Sequence, residues 1–163
     1  MKEVYVIRHG KSSWEIPEWS DEERPLRKKG KKRTQKVAKY LKKKGIVPQL
    51  ILTSPAKRAK QTAKILREVL GEKIPVRTEK ILYTGDEDDM EALLYGLDDK
   101  IERVFVVGHN PDLTDWVNKY KDEKIFNFPT SAVFGVGFYA KKWPDLPWAS
   151  YQELLYVEPK RLK

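Results

Sequence analysis

Short, nearly uninterrupted apolar runs alternate along this chain with longer stretches in which apolar residues recur every three or four positions. The runs at 4–7 (VYVI), 50–53 (LILT) and 103–109 (RVFVVGH) predict buried strands, the last being the strongest such signal. A helix is expected over 28–44, with Gly45 as its stop. A second is expected over 55–70, with Pro55 in its first turn, Ala59, Thr62, Ala63 and Leu66 along one face, and Gly71 closing it. A weaker strand at 76–80 precedes a helix near 88–95, and a further helix follows Pro111. The segments 132–139 (AVFGVGFY) and 151–159 (YQELLYVEP) predict two closing strands. Buried strands alternating with helices predict an α/β fold, a three-layer sandwich whose mostly parallel central sheet carries helices on both faces. In such sheets ligands bind at the carboxyl ends of the strands.

Composition narrows this picture. The 163 residues show no internal repeat or composition break, so a single domain over 1–163 is expected. Without cysteine, disulfides and thiolate metal sites are excluded, and two histidines alone make no histidine-rich metal centre. No stretch approaches the roughly 18 apolar residues of a membrane span, and the N-terminus lacks a signal-peptide pattern. A cytoplasmic protein without membrane contact is expected. The net charge of +9 raises the question of nucleic acid. Much of that excess is lysine in 27–45 (RKKGKKRTQKVAKYLKKKG), on a helix that also carries Val37, Ala38 and Leu41 and has no interleaved aromatic platform. A solvated basic face is the reading preferred over a nucleic-acid partner.

The chemistry gathers at three strand ends. The first strand leads into Arg8-His9-Gly10, the second into Ser54-Pro55, and the third into His109-Asn110-Pro111. Both histidines of the chain thus follow a strand, each beside a glycine, a coincidence that packing needs do not explain. Ser54 is a candidate N-cap, and Arg58 lies one turn into the following helix. Helical side chains lean toward the N-terminus, so its guanidinium can reach back past that end, where an anion is favoured. Asn110 is a candidate cap for the next helix and a candidate substrate contact.

These motifs, RHG at 8–10, SPAKRAKQTA at 54–63 and GHNP at 108–111, resemble the histidine phosphatase superfamily, the phosphoglycerate-mutase-like fold. The short length, RPLRKKG at 24–30 and FPTSA at 128–132 are most similar to its SixA-type phosphohistidine phosphatases. The resemblance implies that His9 is a nucleophile forming a phosphohistidine intermediate that water hydrolyses. It implies that Arg8, Arg58 and His109 clamp the phosphoryl oxygens and that Arg24 stands at the pocket rim. It implies no cofactor, no metal, and a phosphorylated substrate, a phosphohistidine-bearing protein in the SixA-type reading. A nucleophilic imidazole must be neutral, and neighbouring cations disfavour its protonation. Those cations also stabilise charge on a transferring phosphoryl group. Gly10 is expected to permit a close backbone approach.

Other features change less. The run Asp86, Glu87, Asp88, Asp89 could suggest Mg²⁺, but carboxylates at a helix start are read as capping and dipole residues. Mutases of the family carry a catalytic glutamate in this region; here Tyr83-Thr84-Gly85-Asp86 stands instead, which counts against a mutase and leaves Asp86 as a candidate general acid. Arg27 replaces the usual threonine of the RPLT pattern. Ser12 and Ser131 are candidate substrate contacts, and Trp14 a candidate for the pocket mouth. Two alternatives stand beside the phosphohistidine phosphatase: a broad small-molecule phosphomonoesterase of the same superfamily, and a basic module binding nucleic acid or phosphoprotein without turnover.

Overall fold

The run at 4–7 is the middle of β1 (Lys2–Arg8). In the computed structural model, which describes residues 1–162, the other strands are β2 (Leu50–Thr53), β3 (Val76–Thr78), β4 (Arg103–Gly108), β5 (Val133–Phe138) and β6 (Tyr151–Val157). The helices are α1 (Lys28–Lys43), α2 (Lys57–Leu70), α3 (Ile81–Thr84), α4 (Glu87–Tyr95) and α5 (Asp112–Tyr120). Three 3-10 turns, Asp21–Glu23, Trp143–Trp148 and Pro159–Arg161, complete the chain. Lys163, the last residue of the expected single domain, lies outside the described residues.

All six strands join one sheet in the order β3-β2-β4-β1-β5-β6. The first four are mutually parallel, while β5 runs antiparallel to both β1 and β6. The sheet is therefore mixed. No crossover helix separates β5 from β6; the 3-10 turn Trp143–Trp148 returns the chain beside its predecessor.

Alternation along the strands divides the core in two. Val4, Val6, Leu52, Val104 and Val106 pack with Met90 and Leu94 of α4 and Trp116 and Val117 of α5. Tyr5, Ile7, Ile51, Phe105 and Val107 face the other way, against Val37, Ala38 and Leu41 of α1 and Ala59, Ala63 and Leu66 of α2. Burial on both faces explains why the strands read as continuous apolar runs rather than alternating ones. Each such side chain fully removed from water stabilises the fold by roughly 1.5–3 kcal/mol.

This order sets the site. β4 lies between β2 and β1, with Thr53 opposite Val107 and Arg8 opposite Gly108. The pairing continues one residue further: the His9 N–H donates to the Gly108 carbonyl at 3.1 Å, and the Ser54 N–H to the Val107 carbonyl at 3.1 Å. The three loops that carry the arginines and histidines therefore leave the sheet side by side.

Candidate active site

A cavity of about 450 Å³ opens at these strand ends, lined by residues that include Arg8, His9, Ser12, Arg24, Arg58, His109 and Asn110. His9 is buried, and its Nδ1 lies 2.7 Å from the Gly10 carbonyl oxygen. A carbonyl only accepts, so Nδ1 carries the proton and Nε2 keeps its lone pair. Burial pushes the pKa of this ring down to about 3; the Gly10 carbonyl opposes the shift, and His109, Arg58 and Arg8 reinforce it. The ring is neutral at physiological pH. His109 stands 5.0 Å away between ring centroids. Its own pKa is lowered to about 4 by burial, then by Arg58, against the opposing pull of Asp21.

Backbone tightness holds this geometry. The Gly10 N–H donates to Thr62 Oγ1 at 3.0 Å, and that hydroxyl donates to the Arg58 carbonyl at 2.8 Å, joining the first loop to α2. A Cβ on Gly10 would meet Thr34 Oγ1 at 2.9 Å and the Gly30 carbonyl oxygen at 3.1 Å. The close approach is real, and it is made to α1.

Ser54 takes a different part from the expected one. The N-cap of α2 is Ala56, and Ser54 Oγ lies 2.7 Å from His109 Nε2 while accepting the Ala56 N–H at 3.2 Å. Asn110 is fully occupied. Its carbonyl oxygen accepts the Thr114 N–H and hydroxyl, at 3.1 and 2.9 Å, and its amide donates to the Asn127 side chain and the Phe128 carbonyl, at 3.1 and 2.9 Å. It braces α5 against the loop that leads to β5, even though Pro111 occupies the N-cap position.

Arg24 also divides its donors. Nε donates to the Ser13 carbonyl at 3.2 Å, one terminal nitrogen to Asp21 at 2.9 Å and the other to Ser12 Oγ, while the Trp14 ring stacks 3.2 Å from the guanidinium carbon. Ser12 thus reaches the cavity as an acceptor for Arg24. Ser131 is buried, shares a 2.8 Å hydrogen bond with Thr34, and adopts φ 61 so that its N–H reaches the Arg8 carbonyl at 3.0 Å. Its neighbour Thr130 lines the cavity instead. Asp86 lies outside this cavity, as N-cap of α4 in a capping box with Asp89. The Asp89 N–H holds the Asp86 carboxyl below its ordinary pKa, which is the wrong direction for a proton donor. Among the described residues, no group of three or more His, Cys, Asp or Glu side chains could hold a metal ion.

Sequence reasoning missed Asp21, Lys11 and the lining role of Arg27. Asp21 accepts from Arg58 twice, at its carbonyl (2.6 Å) and carboxylate (2.9 Å), from Arg24 at 2.9 Å, and from the Tyr83 hydroxyl at 2.7 Å. Burial opposes its ionisation, but the Tyr83 and Arg58 hydrogen bonds outweigh that and hold its pKa near 2. Tyr83 in turn packs edge-on against His109 at 5.5 Å. One carboxylate therefore sets the directions of two arginines and, through Tyr83, one face of a histidine. The sequence marks only the turn itself: Ser20 and Glu23 form a capping box around Asp21, directly before Arg24, which says nothing of its distant partners.

The two lowered histidines predict an acid-sensitive fold. In the unfolded chain each imidazole binds a proton near pH 6.5; in the folded chain it does so only near 3 or 4. Unfolding therefore takes up protons as pH falls from about 7 to about 4, and stability should drop by up to about 1.4 kcal/mol per pH unit per histidine. Urea midpoints at pH 7, 6 and 5 check this. The His9→Gln variant should show about half the slope, and an unchanged slope would contradict the neutral His9.

Two buried polar atoms have no hydrogen-bond partner among the described residues: Arg8 Nε and His109 Nδ1. Both belong to residues lining the cavity. Buried polar groups are rarely left unpaired, and the oxygens of a tetrahedral anion would serve both.

Comparison with known proteins agrees with this geometry. Residues 4–105 match the histidine phosphatase superfamily (branch 1). An uncharacterized protein of Picosynechococcus sp. is 35% identical over 115 residues, 70% of each chain. The protein histidine phosphatase SixA in its tungstate complex superposes with a TM-score of 0.83 at 25% identity, over 99% of each chain. A structure assigned as phosphohistidine phosphatase SixA from Agrobacterium tumefaciens gives 0.83 at 22% identity, covering 97% of this chain and 98% of that one. Fold, strand-end loops and sequence agree, and the chain belongs to the histidine phosphatase superfamily.

Proposed function

We propose that this protein is a phosphatase that acts through a covalent phosphohistidine on His9, and that its substrates are phosphohistidine-bearing proteins. The observation that carries this is the neutral His9 ring, its Nδ1 proton engaged by the Gly10 carbonyl at 2.7 Å, in a cavity that Arg8, Arg58 and His109 also line. In the first step the Nε2 lone pair attacks phosphorus, and the bond to the leaving group breaks with its electron pair going to that group. The new imidazolium keeps its proton on Nδ1, where the Gly10 carbonyl faces it. Water then attacks phosphorus, the P–Nε2 bond breaks back to the ring, and the proton lost by water departs with inorganic phosphate.

Arg8, Arg58 and His109 hold the three equatorial oxygens during both steps, supplying the positive charge that phosphoryl transfer requires. In this mechanism the Ser54 hydroxyl donates to His109 Nε2, 2.7 Å away, while its oxygen accepts the Ala56 N–H, so that Nδ1 keeps the ring's proton as a donor toward the anion. The likeness to SixA-type structures supports phosphohistidine as the substrate class. Release of phosphate from a phosphohistidine protein and from an aryl phosphate, lost in His9→Ala, tests the reading. Tight oxyanion binding with no release of phosphate would instead mark a binding module.

A second expectation concerns charge. Arg58→Ala should lower kcat by about 10²–10³-fold, the scale of losing one preorganised charge donor. Vanadate or tungstate should inhibit the wild type competitively and the variant weakly. Activity should survive exhaustive chelation; loss on chelation with rescue by Mg²⁺ would contradict the proposal.

A further inference from the structure

One phosphoryl group does not use all the positive charge at this cavity. Beyond Arg8, Arg58 and Arg24, the cavity is lined by Lys11 and Arg27, and neither is in an ion pair among the described residues. Both are built into the start of α1. The Arg27 N–H donates to the Lys11 carbonyl at 2.8 Å. Gly30 packs so closely that a Cβ there would lie 2.4 Å from the Lys11 carbonyl oxygen. The cavity rim and the first turns of α1 are therefore one continuous surface, on which Lys28 and Lys29 are exposed. Arg33 first, then Lys11 and desolvation, with Arg27 and Lys160 of the C-terminal 3-10 turn after them, press the Lys29 ammonium pKa downward, so these four cations lie within electrostatic range of Lys29.

This charge is costly where it stands. Arg27 is the N-cap of α1 and makes no capping bond, and the first turn carries no acidic residue. Cations at a helix N-terminus oppose its dipole. A sequence that keeps them against local preference points to a use for them. The turn that pairs with Arg24 and Arg58 is opposite in sign, carrying Asp21, Glu22 and Glu23.

We propose that the ridge formed by Lys11, Arg27, Lys29, Arg33 and Lys160 docks an acidic stretch of the substrate protein beside its phosphorylated residue. The inference rests on the phosphohistidine reading above and adds the charge of the flanking sequence. A protein fits better than a small molecule because the ridge runs out of the cavity along α1. It fits better than nucleic acid because residues 27–36 carry no aromatic for base stacking.

The test uses the full chain and synthetic phosphohistidine peptides with acidic, neutral or basic flanks, alongside an aryl phosphate. At low salt, kcat/KM for the acidic peptide should exceed that for the neutral one at least about tenfold, and the advantage should shrink as ionic strength rises. In Lys29→Glu/Arg33→Glu the ratio of acidic-peptide to aryl-phosphate kcat/KM should fall by a similar factor. Lys29→Gln/Lys160→Gln gives the same reading should the first variant not fold. Equal rates for acidic and neutral peptides, or variant losses that strike the aryl phosphate equally, would overturn the inference and leave the phosphatase reading intact. Turnover of aryl phosphate with no phosphohistidine peptide hydrolysed would remove the substrate reading and this inference with it. An RNA oligonucleotide bound more tightly than the acidic peptide, and released by the same charge reversals, would assign the ridge to a phosphodiester backbone and overturn the proposal.

Discussion

His9→Ala should reduce phosphate release by at least about 10⁴-fold, the scale set by deleting a covalent nucleophile whose partners remain in place. The substitution leaves Arg8, Arg58 and His109 in position, so the variant should still bind tungstate. That separates loss of chemistry from loss of the pocket. Rapid quenching of the wild type during turnover should trap phosphate on the protein. A phosphoramidate is labile in acid and stable in base, unlike a phosphoserine or an acyl phosphate, and the label should map to His9. His109 is the only other histidine. Its Nε2 is engaged by Ser54 and, in the proposed mechanism, its Nδ1 carries the proton, so no lone pair is presented to phosphorus. Label on His109, or label that survives acid, would exchange the roles of the two rings. Full activity in His9→Ala would end the covalent mechanism.

How much of this was legible before the structure depends on the range of the interactions involved. β1, β2 and β4 were visible because strands buried on both faces need only apolar residues, and their order of use follows from the loops they carry. The reversal of β5 was not legible. A buried strand reads the same in either direction, and only the lack of a helical pattern between 139 and 150 hinted at a direct return to β6. Arg8, His9, Arg58 and His109 were legible because each closes a strand or lies in the loop or first helical turn that follows one. Asp21 was not, because its meaning lies in partners at long range: Arg58 is 37 residues away and Tyr83 is 62. In isolation an exposed acidic turn is a solvated surface. Ser131 and Thr130 show the limit at finer scale. Adjacent hydroxyls differ only by a backbone turn, and the positive φ at Ser131 sends its side chain to Thr34 and leaves Thr130 on the cavity.

Phosphohistidine and aryl phosphates should be hydrolysed at least about 10²-fold faster than alkyl phosphates such as sugar or glycerate phosphates. The reason is the state of the carboxyl groups around the site. An alkoxide is strongly basic and benefits from protonation as it leaves, an effect commonly worth about 10²–10⁴-fold. Asp86 is locked in its capping box with its pKa lowered first by the Asp89 N–H. Asp21 is nearer, but Tyr83 and Arg58 outweigh its burial and hold it ionised down to about pH 2. Neither carries a proton to give at neutral pH, and proton donation from His109 is resisted by the same burial that keeps it neutral. Imidazole leaving from phosphohistidine can already carry its proton on the other nitrogen, and an aryl oxide is a weak base, so both depart without help. A plot of log kcat/KM against leaving-group pKa across aryl and alkyl phosphates should therefore slope steeply downward. Asp21→Asn should leave that slope unchanged, since it removes no proton donor from the site. A flat plot, made steep by Asp86→Asn or Asp21→Asn, would identify that residue as the proton donor and shift the substrate class toward small phosphomonoesters, with the His9 chemistry unchanged.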